Sequence, residues 1–66
     1  MHEMIRNECE KAKRKRDEIK AELNALESES PKDHYRITIT RDRLAYWEGK
    51  TDGLQFALDQ LGKQGS

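Results

Sequence analysis

Little in this chain of 66 residues can staple a small fold. Its one cysteine, Cys9, excludes an intrachain disulfide, and no Cys/His set has the spacing of a zinc site. There is one proline, so helices can run long without a forced break. No apolar stretch approaches the ~18 residues that cross a membrane. The N-terminus lacks the apolar core of a signal peptide. These two absences point to the cytoplasm, or to a host cytoplasm if the chain is a phage or plasmid product. Charge of one sign is also missing: 13 basic residues balance 13 acidic ones. A protein whose main work is gripping nucleic acid backbone carries a clear positive excess. No phosphate loop, nucleophile elbow or dinucleotide fingerprint occurs, and the chain reads as non-enzymatic, with no cofactor, no metal and no small-molecule substrate.

What is abundant is charge, at 39% of residues against roughly 25% in ordinary domains. Sixty-six residues make at most one domain, and a chain this short buries a small fraction of its surface. With no staple present, extra buried area has to come from self-association or a partner.

Apolar periodicity supplies the architecture. Ile37, Thr40, Leu44, Trp47, Thr51, Leu54, Leu58 and Leu61 follow one another at alternating gaps of 3 and 4, a single helical stripe with a seven-residue repeat. A second such stripe, weaker in its first half, runs Ile5, Cys9, Ala12, Arg16, Ile19, Leu23, Leu26. Between them lies Ser28-Glu29-Ser30-Pro31, where Ser30 has the chemistry of an N-cap, Pro31 suits a first helical position, and Asp33 favours a helix N-terminus. The expected organisation is a single hairpin over residues 1–62: helix 1 at about 2–28, a turn at 29–30, helix 2 at about 31–61, and a frayed tail at 63–66.

A short link makes the helices antiparallel neighbours. Facing residue numbers then have a constant sum, and the sum 63 centres on the turn. It pairs Leu26 with Ile37, Leu23 with Thr40, Ile19 with Leu44, Arg16 with Trp47, Ala12 with Thr51 and Cys9 with Leu54. Arg16 is expected to stack its guanidinium on Trp47. The same register brings Glu22 near Arg43, Glu29 near Arg36, Lys13 near Glu48 and Glu27 near His34. Two segments have rival readings. Residues 36–40 have strand-like composition but no partner strand, and Gly49 to Gly53 looks like a loop, yet the apolar phase runs through it unbroken. Continuous helix is the expectation for both.

Helix 2 carries a second set on its opposite side. Tyr35, Ile39, Asp42, Tyr46, Gly49, Gly53 and Phe56 again alternate gaps of 4 and 3. Tyr35, Ile39, Tyr46, Gly49, Gly53 and Phe56 are the candidate protein interface. The spacing is self-complementary: two copies of helix 2 lying antiparallel with a residue sum of 102 would set Gly49 against Gly53 and Tyr46 against Phe56. The expected fold is therefore all-α, a helical hairpin (a two-helix coiled coil) that forms a homodimeric four-helix bundle. The expected function is protein binding by a small regulator, inhibitor or assembly factor, its partner unidentified.

The alternative is RNA or DNA binding through the run Lys11 to Arg16, with Lys11, Lys13, Arg14 and Lys15 as candidate nucleic-acid contacts. Against it, Glu10, Asp17 and Glu18 lie one turn away from members of the run, and no aromatic is interleaved for base stacking. In outline the expected dimer is similar to the plasmid repressor-of-primer family, hairpin dimers that bind paired RNA. That is a likeness of shape carried by no motif.

Overall fold

The computed structural model describes residues 2–64, which form two helices, α1 (His2–Ser28) and α2 (His34–Gln64), packed against each other. It is an all-α antiparallel hairpin, a rod of 53 × 14 × 13 Å. Its radius of gyration is 15.3 Å, where a compact chain of this length would have about 11 Å. Both rival readings of α2 resolve the same way: residues 36–40 and 49–53 lie inside one continuous helix.

The link is longer than the sequence implies. α1 closes at Ser28, whose Oγ donates to the Asn24 carbonyl at 2.9 Å. The Glu29 N–H donates to the Leu26 carbonyl at 3.3 Å, tightening the last turn. α2 begins at His34, not Pro31, and its cap is Asp33, not Ser30. Asp33 Oδ1 accepts the Arg36 N–H at 3.1 Å, and the Asp33 carbonyl accepts the Ile37 N–H at 3.0 Å. Chain reach favours the longer link. A two-residue link has three Cα steps, about 11 Å, with which to cross the ~8–10 Å between helix axes and reverse direction. Five residues do so without stretching, and Asp33 adds a negative charge at the helix N-terminus. At the other end, α2 continues past Gly62 to Gln64, into the expected tail of residues 63–66. The rest of that tail, residues 65 and 66, lies outside the described residues.

The core follows the expected stripes. Cys9, Ala12, Ile19, Leu23 and Leu26 of α1 are buried, as are Ile37, Thr40 and Thr51 of α2. Leu23, Leu26 and Ile37 form an aliphatic cluster beside the turn, with Leu44 packed on it. Farther along, small Ala12 and Cys9 are each 1% exposed. The buried Thr51 hydroxyl donates to the Trp47 carbonyl one turn back at 2.7 Å, which removes the penalty of an unpaired buried donor. Cys9 Sγ reaches across the seam to Gln55 Oε1 at 3.7 Å. Among the described residues no buried side-chain nitrogen or oxygen lacks a partner.

Charged side chains choose differently from the arithmetic in several places. Arg43 does lie against Glu22, at 4.0 Å. Glu27, however, pairs with Arg41 at 3.1 Å rather than with His34, and Lys13 pairs with Glu10 of its own helix at 3.8 Å rather than with Glu48. The cation over Trp47 is Lys50, 4.9 Å from the ring centroid. Arg16 turns to Asp17 at 3.0 Å, leaving its side chain 31% exposed. A half-exposed guanidinium gains more from an adjacent carboxylate than from an indole face, while Lys50, one turn after Trp47, reaches the ring with its flexible stem.

Candidate protein-interaction face

The hairpin uses one side of each helix, so whatever α2 presents on its other side faces solvent. Five large apolar side chains are exposed among the described residues, and four of them belong to the candidate interface: Tyr35 (76%), Ile39 (41%), Tyr46 (61%) and Phe56 (64%). The fifth is Met4, near the start of α1. Isolated exposed apolar residues are ordinary on any surface. Four on one helical stripe share a face, interrupted by exposed Asp42.

Gly49 and Gly53 lie on that stripe and are exposed. A Cβ built on either meets nothing within 4 Å, and neither has a positive φ. Neither a close approach inside the hairpin nor a left-handed backbone therefore calls for glycine at these positions. Each one costs α2 about 1 kcal/mol relative to alanine. The Tyr46 ring meets Trp47 edge to face at a centroid distance of 5.3 Å, which links the outer face to the seam.

Two residues that the seven-residue spacing passes over also belong to this surface. Ala45 lies four residues before Gly49, and Ala57 lies four after Gly53. Ala45 is exposed and Ala57 half-buried. The four small residues form a ridge along the i, i+4 direction. The signal was present in the sequence as a run of equal fours, but a search for alternating threes and fours does not register it.

The basic run is distributed differently. Successive residues of a helix are turned by about 100°, so Lys13 points away from the face that Lys11, Arg14 and Lys15 share. Most also have a partner within a turn. Lys11 pairs with Glu8 at 3.5 Å, Lys13 with Glu10 at 3.8 Å, and Lys15 with Glu18 at 3.9 Å. Arg14 Nε donates to the Glu10 carbonyl at 3.5 Å. Exposed pairs of this kind are worth ~0–1 kcal/mol each, but together they reduce the local positive field. Lys11, Arg14 and Lys15, spaced i, i+3 and i+4, share one face of α1, and Lys13 lies apart from them.

Among the described residues no cavity is present, and no three His, Cys, Asp or Glu side chains are grouped to hold a metal ion. Neither helix is long and apolar enough to cross a membrane. No protein-family model, curated protein or solved structure matches the chain.

Proposed function

We propose that the protein is a non-enzymatic helix–helix binding module, a small cytoplasmic regulator, inhibitor or assembly factor that docks a protein partner on the outer face of α2. The observation that carries this reading is the pair Gly49 and Gly53. They cost helix stability and meet open space inside the hairpin, but they sit between Tyr46 and Phe56 on an exposed apolar stripe. A second helix laid on that stripe would find close backbone contact at the glycines and apolar anchors on either side. Support over contact with RNA or DNA comes from the basic run, whose members are paired with nearby acceptors.

The test is capture from source cells, with and without nuclease, using the wild-type chain and the Gly49→Leu/Gly53→Leu double variant as baits. A captured protein that survives nuclease and is lost with the double variant is the expected result. Capture that disappears with nuclease, or that is indifferent to the two leucines, would overturn the proposal.

A further inference from the structure

We infer that the occupant of the α2 face is a second copy of this chain, laid antiparallel across a two-fold axis that passes between Gly49 and Gly53. This rests on the reading of that face as a docking surface and names its partner.

The first ground is symmetry in the residues themselves. An isologous contact requires one surface to be complementary to itself. About residue 51 the ridge is palindromic in size: Ala45, Gly49, Gly53 and Ala57 mirror one another, and Tyr46 mirrors Phe56. Antiparallel pairing about that point sets Gly49 on Gly53, Ala45 near Ala57, and an aromatic pair on each side of the glycines. A parallel pairing would instead stack Asp42 on Asp42 within the stripe.

The second ground is the observed length of α2. Because the helix runs to Gln64, the two copies would overlap from residue 38 to residue 64. The overlap places Gln60 within helix opposite Asp42, where its amide can donate to the carboxylate. That polar pair flanks the stretch from Tyr46 to Phe56, with Ile39 beyond it and Tyr35 outside the overlap.

Area supplies the third ground. A fully buried aromatic side chain covers roughly 150–250 Å², and Tyr46 and Phe56 are 61% and 64% exposed. In a dimer these four rings alone would remove roughly 400–600 Å² from water, about a third of the roughly 1,600 Å² that a standard specific interface buries. Ile39 and the small-residue ridge lie on the same overlap and add to it.

The two-fold also brings like charges together, which gives the inference a sharp consequence. Lys50 would approach its own copy, but its ammonium lies over Trp47 on the hairpin side. Asp52 is exposed on the other flank and has no such restraint, so it would face its copy as a like-charge pair. Asp52→Asn should therefore tighten the dimer, by about two- to five-fold.

Sedimentation equilibrium from about 1 µM to about 1 mM tests the inference. The expected mass approaches twice 7.7 kDa as concentration rises. Gly49→Leu/Gly53→Leu should weaken association at least about tenfold, with helicity by circular dichroism retained. Phe56→Glu, at an exposed position, is a second disrupting variant that leaves the hairpin core untouched. A dimer that ignores these variants, or that Asp52→Asn weakens, overturns the two-fold. A monomer at every concentration overturns the second copy as occupant. If the leucine variant nonetheless loses a captured protein, the docking face stands with a different partner; if capture is also unchanged, both readings fall.

Discussion

Replacing Gly49 and Gly53 together with alanine should make the isolated hairpin more stable. Both lie inside continuous helix with no positive φ, so alanine fits the existing backbone. The added methyl groups meet nothing within 4 Å, so no packing is disturbed. Each substitution removes the conformational freedom of glycine and should gain about 1 kcal/mol, or about 2 kcal/mol for the pair. For a chain of this size that corresponds to a rise in Tm of roughly 8–16 °C. Thermal unfolding followed by circular dichroism at 222 nm measures it, at a protein concentration low enough that self-association contributes little. An unchanged or lowered Tm at low concentration would refute the reasoning. It would mean that α2 is not regular helix through residues 49–53, or that the glycines serve a contact within one chain.

The seam and the cap make further predictions. Ile19→Ala should destabilise the hairpin by about 2–5 kcal/mol, since Ile19 is 1% exposed at the middle of the seam; urea unfolding would show a lower midpoint or outright loss of helicity. Asp33→Ala should cost about 1 kcal/mol through loss of the bond to the Arg36 N–H, whereas Ser30→Ala should have little effect. Equal losses in the two variants would return the cap to Ser30. Exchanging Lys13, Arg14 and Lys15 for Gln should leave protein capture unchanged, because none of them lies on the α2 face. Loss of capture together with loss of salt-sensitive RNA or DNA binding in a filter assay would favour the nucleic-acid alternative.

The hairpin was legible in the sequence for a geometric reason. Two stripes of seven-residue period on either side of one break allow few antiparallel registers, and only the sum 63 centres on the turn. The buried set of Cys9, Ala12, Ile19, Leu23, Leu26, Ile37, Thr40 and Thr51 lies on those stripes. The outer face was legible for the same reason, since Tyr35, Ile39, Tyr46 and Phe56 share a phase that the seam does not use. Ala45 and Ala57 were harder to see, because a methyl group contributes little to any apolar pattern and matters only beside the glycines.

What the sequence by itself determined, then, is the part governed by periodicity: two helices, their antiparallel pairing, and which side of α2 is left over. Only the tertiary structure decided the choices between alternatives of similar energy. Ser30 and Asp33 are comparable caps, and the bond to the Arg36 N–H shows that Asp33 serves. Long charged side chains can reach several partners, so Glu27 took Arg41 and Arg16 took Asp17. Trp47 was left to Lys50. The glycines are the clearest case. A sequence shows that Gly49 and Gly53 are present, but whether they fill a tight contact or open onto empty space depends on where the neighbouring helix lies. It lies on the other side of α2.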